Sequence, residues 1–268
     1  MHSRRLYFHT IAVEPARWSS QRISRDIVSL LPDIAAAGFR NLEIFEPHLS
    51  SDKLSEKILD AFKSLGLSAD ILSSYLSLNP TQMSLEQVQA GIETIWARVK
   101  YYGFRKVRIF PGPGMDPRDE AGVEIFMRRL ERLSVALPET EILLETHDGS
   151  LADDPELITR IVRDLKAPNV GLLYQSTFFE TESALSQFEI QKPYIRHVHL
   201  QNRDAQKGFV PLRDGLVPWD KIIPQLDKSA GATLEFVPVG VCGPEKFDLT
   251  ATLVQAQYEA AYFDELAG

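Results

Sequence analysis

The sequence has a single cysteine, Cys242, among its 268 residues. One cysteine can neither close an internal disulfide nor build a cysteine-based zinc site, so oxidative folding and structural zinc are not indicated. Long apolar runs are also missing. No stretch approaches the roughly 18 apolar residues of a membrane span, and residues 1–7 carry charge without the apolar core of a signal peptide. We therefore expect a cytoplasmic protein with no membrane partner.

The sequence also has no excess of positive charge. The chain has 29 Lys and Arg against 37 Asp and Glu, a net charge of −8. Such a chain lacks the broad basic surface on which non-specific binding to a phosphate backbone depends, so we expect no nucleic-acid partner. What is present is typical of a globular protein, with 44% hydrophobic and 25% charged residues.

Short apolar runs alternate with longer amphipathic segments along the whole chain. The segments between the runs have helical spacing and helix-start signals, such as Ser84 with Gln87 and Asp154 before Pro155. The runs predict eight strands, near residues 6–9, 41–45, 67–72, 106–110, 142–145, 170–174, 194–200 and 232–237.

Eight strand-then-helix units with near-continuous apolar strands favour a (β/α)8 barrel, and a doubly wound open sheet is the competing layout. No Pro/Gly/Ser-rich linker, composition shift or low-complexity tract divides the chain. We therefore predict one domain over residues 1–268.

Polar residues at the ends of the apolar strands are the candidates for chemistry, because the active sites of such barrels lie at the C-terminal ends of the strands. Glu145 and Glu235 each follow an apolar run, where a charge is costly unless a metal, a cation or hydrogen-bond donors accompany it. His197 and His199 are two residues apart on one strand and therefore point to the same face. The same rim includes His9, Glu43, His147, Asp148 and Gln175.

Each of these residues also has a plain structural interpretation. A barrel Lys or Arg could simply neutralise Glu145 or Glu235, and either strand histidine could be packed rather than functional. A histidine on a polar rim often only donates a supporting hydrogen bond, an alternative that applies to His147 and His197.

The second half of the chain carries the residues of a family resemblance. The segments 143–148 (Leu-Leu-Glu-Thr-His-Asp), 168–175, 194–200 and 233–235 are similar, in order and spacing, to strands five to eight of the xylose isomerase-like barrel superfamily. This is the sugar phosphate isomerase/epimerase group. The resemblance implies a single (β/α)8 barrel, and it carries the family's metal-ligand set onto Glu145, Gln175, His199 and Glu235.

A set of oxygen ligands with one imidazole suits Mn²⁺, Mg²⁺ or a similar divalent ion. The second position departs from the family, which usually has Asp where this chain has Gln175. The ligand charge thereby falls from −3 to −2, and a neutral amide oxygen attracts a divalent cation less strongly than a carboxylate does.

The activity that the resemblance implies is metal-dependent isomerisation or epimerisation of a sugar, sugar acid or cyclitol. Glu145 and Glu235 would move the α-proton of the substrate through an enediolate. Glu43, His147, His197 and Arg203 are the predicted substrate contacts, although the segment around Arg203 also departs from the family pattern.

Two alternatives stay open. One is a dehydratase that uses the same site, and the other is a metal-free, non-catalytic barrel that binds a sugar or a protein partner, for which Gln175 is the motivating feature. A homo-oligomer formed through exposed helix faces is left open as well.

Overall fold

The computed structural model describes residues 5–18, 25–49, 55–178, 180–241 and 244–268. Eight parallel strands pair in chain order, and the first pairs with the last, so the sheet is a closed barrel and the open-sheet layout is excluded. The strands are β1 (Leu6–His9), β2 (Asn41–Phe45), β3 (Ser68–Ser73), β4 (Lys106–Ile109), β5 (Glu141–Glu145), β6 (Val170–Tyr174), β7 (Ile195–Leu200) and β8 (Gly231–Leu234).

An α-helix follows each strand, which completes the predicted (β/α)8 barrel. The seventh helix is a single turn and continues as a short 3-10 helix. The helices are α1 (Ile27–Ala36), α2 (Glu56–Leu65), α3 (Leu85–Tyr102), α4 (Glu120–Ala136), α5 (Pro155–Leu165), α6 (Thr181–Gln191), α7 (Trp219–Ile222) and α8 (Leu249–Ala267).

The predicted helix starts are confirmed in atomic detail. The Ser84 side chain accepts from the backbone amide of Gln87, and the Gln87 side chain accepts from the amide of Ser84, which closes a capping box at the start of α3. The Asp154 carboxylate accepts two backbone amides of the first turn of α5, and Pro155 occupies that turn. Each cap fixes the point at which the chain leaves the barrel rim.

The two faces of each strand have different surroundings, as β5 shows. Ile142 and Leu144 belong to the apolar core between the sheet and the helices. Leu143 and Glu145 occupy the alternate positions and therefore face the inside of the barrel. The apolar core thus holds the barrel together from outside, and the polar residues at the strand ends are collected inside.

The N-terminal end of the barrel contains a separate ion-pair cluster around Asp70. Its carboxylate lies 3.1 Å from the Arg5 guanidinium and 3.0 Å from that of Arg105, and it accepts a hydrogen bond of 3.3 Å from the Tyr7 hydroxyl. This buried carboxylate is paired at the end of the barrel away from the strand C-termini.

Within the described ranges, no helix has both the length and the apolar character that crossing a bilayer requires. Cys242 lies outside the described residues.

Candidate metal centre and active site

Four strands bring the predicted metal ligands together. Glu145 ends β5, Gln175 follows β6, His199 lies in β7 and Glu235 follows β8. All four side chains are buried, Gln175 being the most exposed at 8%. His199 Nδ1 lies 3.7 Å from Glu145 Oε1 and 3.5 Å from Glu235 Oε1. One donor atom from each of these three residues falls within 4.8 Å of the other two, a spacing at which they could hold one metal ion.

The amide of Gln175 completes this set. One terminal atom of this amide lies 3.3 Å from Glu145 Oε1 and 2.7 Å from Glu235 Oε2. With the nitrogen at that position, the amide donates a hydrogen bond to each carboxylate. Rotated by 180°, the amide would instead present its oxygen to a cation held between the carboxylates. Gln175 can therefore serve as an oxygen ligand or as a hydrogen-bond donor to the carboxylates.

Arg108 is a buried cation inside the barrel that the sequence reasoning missed. Its Nε lies 2.9 Å from Glu145 Oε2, and both side chains are 1% exposed. The guanidinium also sits over the rings of Phe110 and Tyr75, at 4.3 and 5.2 Å. The residue could have been found by the argument used for Glu145, since Arg108 is a charged residue between the apolar Val107 and Ile109 of β4.

The ion pair with Arg108 keeps Glu145 ionised. Burial raises the pKa of the Glu145 carboxyl, but the charges of Arg108 and His199 outweigh it and lower that pKa to about 2. Burial likewise lowers the pKa of Arg108, but Glu145, Tyr75, Glu43 and Glu235 together raise it above its usual value. The plain interpretation of Glu145 is thus partly correct, because an arginine does neutralise it. The carboxylate nevertheless points inward, and its Oε1 lies 3.7 Å from His199 Nδ1.

Glu43 lies on the other side of His199 and is fully buried. Both of its carboxylate oxygens are 3.1 Å from His199 Nε2, and one also accepts the hydroxyl of Ser73. Burial raises the pKa of Glu43, yet His199 and His9 bring it well below its usual value. Both oxygens of Glu43 are thus engaged by protein groups, and its role as a substrate contact stays a prediction.

His199 stands among three carboxylates. Burial alone lowers the pKa of its imidazole, but Glu43, Glu235 and Glu145 outweigh burial and raise it well above the usual value. The negative potential at this ring therefore favours a positive charge.

The charges of the buried site do not balance. Among the buried residues described here, Glu43, Glu145 and Glu235 are three carboxylates, and Arg108 is the one guanidinium beside them. Two more positive charges would be needed to neutralise these four side chains. A protonated His199 would supply one of the two, whereas a divalent cation would supply both. Arg203, farther out and half-buried, is electrostatically coupled to Asp148 as well as to Glu235.

The other predicted substrate contacts lie in two different places. His147 is exposed at the mouth, where its ring packs edge-on against Phe110 with centroids 4.9 Å apart. His197 is completely buried one layer below His199 and makes a hydrogen bond of 2.6 Å with Thr233. Burial drives the pKa of His197 well below its usual value, so the ring is neutral. His147 is therefore accessible at the mouth and His197 is enclosed beneath His199, and for both residues substrate contact stays a prediction.

The loop after β7 brings two further groups to the site. Arg203 lies with its guanidinium 4.3 Å above the Phe209 ring and is half-buried. Gln201 donates from Nε2 to Glu235 Oε2 at 3.1 Å and was not singled out from the sequence. The alternation of residues along the strand could have identified Gln201, because it continues the series of His197 and His199 on the same face.

Asn202 ties this loop together. Its amide nitrogen donates to the carbonyls of Leu212 and Val217, and its oxygen accepts the amides of Arg203 and Val217. A Cβ on Gly215 would lie 2.1 Å from Asn202 Cγ, so only glycine fits there. The buried amide of Asn202 therefore determines the path of the loop that carries Arg203.

We expect Asn202→Ala to lower the free energy of unfolding by about 2–3 kcal/mol, because it leaves buried backbone groups of the loop without partners. Asn202→Asp keeps the acceptor but turns a buried carboxylate oxygen toward the carbonyls of Leu212 and Val217, so its loss should be at least as large. Urea unfolding monitored by tryptophan fluorescence gives both values. An Asn202→Ala midpoint equal to that of the wild type would contradict this account of the loop.

Comparisons with solved structures place the chain among proteins of the same fold. A probable 3-DHS dehydratase, AsbF, of petrobactin synthesis from Bacillus anthracis shares 20% identity over 93% of this chain and 97% of its own, with a TM-score of 0.70. The IOLI protein with a bound zinc atom shares 16% over 97% and 98%, with a TM-score of 0.73. The 3-keto-D-glucoside 4-epimerase YcjR from E. coli shares 15% over 98% and 99%, with a TM-score of 0.70.

At these identities the likeness establishes the fold alone. A search of curated proteins found no match to the sequence. The sequence model of one family, described as xylose isomerase-like TIM barrel, matches residues 31–236, which include β2 to β8 and all four of the clustered side chains. The chain therefore belongs to the xylose isomerase-like TIM barrel family.

Proposed function

We propose that this protein is a metal-dependent enzyme that isomerises or epimerises a sugar, sugar acid or cyclitol through an enediolate. Its metal ligands would be Glu145, Gln175, His199 and Glu235, and the two glutamates would also transfer protons. The solved relatives include an epimerase and a probable dehydratase, which makes an enolising reaction a reasonable choice for this site.

The observation that carries the proposal is the uncompensated charge of the buried site. Two inward-facing carboxylates, an amide oxygen and an imidazole nitrogen are a donor set for a divalent ion such as Mn²⁺ or Mg²⁺. A bound divalent ion supplies a Lewis acid that stabilises negative charge on the oxygens of an α-hydroxy carbonyl substrate.

The two glutamates are held in different ways, which suits them to share a proton transfer. Arg108 keeps Glu145 ionised and fixes its orientation, whereas Glu235 receives a neutral amide donor from Gln201. A carboxylate beside the α-carbon can take the proton, and the same or the opposite carboxylate can return it. Return to the opposite face gives an epimer, and return to the neighbouring carbon gives an isomer.

Metal content tests the proposal first. Protein stripped with a chelator and titrated with Mn²⁺ in a calorimeter should bind about one equivalent. No binding, even at high Mn²⁺ concentration, would overturn the proposal and favour the metal-free carbohydrate-binding alternative.

A substrate panel tests the reaction itself. Sugars, sugar acids and cyclitols incubated in D₂O with the Mn²⁺-loaded protein should incorporate deuterium at the α-carbon of the true substrate, as read by NMR. A chelator should abolish the exchange. Appearance of an ultraviolet-absorbing conjugated product in place of an isomer would assign the dehydratase reaction instead.

We expect Gln175→Asp to raise the affinity for Mn²⁺ by about 10- to 100-fold, since a carboxylate replaces a neutral oxygen beside the cation and part of the Coulomb gain is lost to desolvation. Gln89→Asp adds the same charge on the exposed face of α3 and should leave the affinity unchanged. Equal affinities for Gln175→Asp and the wild type would place the cation elsewhere.

A further inference from the structure

The contact between Glu43 and His199 suggests a function for the buried side chains beneath the site. We propose that Glu43 is a positioning residue that keeps the proton of the His199 ring on Nε2 and thereby directs the Nδ1 lone pair at the metal. The inference rests on the proposed function, since it concerns how one of the proposed ligands is held.

The two nitrogens of His199 have different surroundings. Nε2 lies 3.1 Å from each oxygen of Glu43, which as a carboxylate only accepts hydrogen bonds. Nδ1 has no hydrogen-bond partner among the described residues, although the side chain is completely buried, and it faces Glu145 and Glu235. A neutral imidazole carries one N–H, and the Glu43 carboxylate holds it on Nε2. The free lone pair then points to the centre of the proposed ligand set.

A chain of hydrogen bonds holds Glu43 in turn, and its direction can be worked out. The backbone N–H of Ile11 donates to His9 Nδ1 at 3.1 Å, so the proton of the His9 ring lies on Nε2. This N–H is 3.0 Å from Ser73 Oγ and can donate to it. The hydroxyl of Ser73 then uses its only proton to donate to Glu43. These hydrogen bonds therefore run from β1 through β3 and β2 to β7, and the donor of each one is assigned.

The same geometry disfavours a second metal site among His9, Glu43 and His199, whose donor atoms also lie close together. The Nδ1 lone pair of His9 is taken by the Ile11 amide, which leaves an N–H rather than a lone pair on the side facing Glu43. A carboxylate that orients a metal-ligating histidine through its other nitrogen is a recurrent arrangement in metalloproteins, and its loss typically lowers metal affinity 10- to 100-fold.

The experiment uses ¹¹³Cd²⁺ as the metal and the full chain with ¹⁵N-labelled histidine. In the wild type we expect one histidine whose Nδ1 couples to ¹¹³Cd while its Nε2 retains a proton protected from exchange. Glu43→Ala should lower the Cd²⁺ affinity about 10- to 100-fold and expose that proton to exchange. Glu43→Gln keeps an oxygen acceptor of the same shape, so it should retain the Nδ1 coupling and recover part of the affinity.

Two further variants keep the test decisive if Glu43→Ala does not fold. Ser73→Ala removes only the hydroxyl that orients Glu43 and should weaken Cd²⁺ binding severalfold. Asp70→Asn removes a buried carboxylate at the other end of the barrel and should leave binding and coupling unchanged.

The possible failures can be told apart. Coupling of ¹¹³Cd to Nε2, a second bound equivalent that couples to another histidine, or wild-type affinity in both Glu43→Gln and Ser73→Ala would overturn the inference alone. Absence of Cd²⁺ and Mn²⁺ binding by the wild type would overturn the proposed function and the inference together.

Discussion

Glu235→Gln should lower turnover on the true substrate by about 10³-fold or more, which is within the range that a positioned general base contributes. The amide keeps the size of the side chain and can still bind through its oxygen, but it cannot accept a proton. Because Glu235 contacts the His199 imidazole and the Gln201 amide rather than a buried guanidinium, the fold should be kept. Deuterium exchange at the substrate α-carbon and urea unfolding measure the two effects separately.

Glu145→Gln should reduce exchange to a similar extent, with an additional cost that Glu235→Gln does not have. It removes the carboxylate that faces the buried Arg108, so the unfolding midpoint should also fall. Glu93→Gln, on the exposed face of α3, is the control for the substitution itself and should change neither property. Full exchange activity in both site variants would exclude the enediolate mechanism.

The barrel could be predicted from the sequence because its strands are apolar and its helix starts are local signals. The predicted runs at 6–9, 41–45 and 170–174 coincide with β1, β2 and β6, and the other strands differ by one to three residues at an end. The meeting of Glu145, His199 and Glu235 followed from the same reasoning, since residues that end neighbouring strands of a barrel share one rim.

What could not be predicted depends on contacts across the barrel interior. The role of Glu43 depends on a histidine that is 156 residues away in the chain, and strand periodicity says nothing about such a pair. His197 and His199 both point into the barrel, but at different depths. The His197 ring lies deeper and contacts Thr233, whereas the His199 ring lies beside Glu145. The alternation of residues along a strand shows which face each side chain occupies. How deep that side chain lies inside the barrel depends on how the sheet closes.

Arg108→Met should lower the free energy of unfolding by about 3–5 kcal/mol in the presence of a chelator. Methionine fills much of the same volume, but it leaves the Glu145 carboxylate buried without its cation, the costliest way to break an ion pair. Arg196→Met is the matched control. The Arg196 side chain is 35% exposed and lies 3.4 Å from Glu141, so its loss should cost less than about 1 kcal/mol. Equal losses of unfolding free energy in the two variants would contradict a stabilising ion pair between Arg108 and Glu145.

A double variant separates the charge from the packing. Arg108→Met combined with Glu145→Gln removes both charges of this pair, so its loss of unfolding free energy should be well below the sum of the two single losses, with a coupling measurable by urea unfolding. Mn²⁺ should stabilise Arg108→Met more than it stabilises the wild type, because a cation among Glu145, His199 and Glu235 also compensates the buried Glu145 charge that has lost its arginine partner. If Mn²⁺ stabilises the single variant no more than the wild type, the cation does not bind beside Glu145, and Arg108 is only a structural partner of that carboxylate.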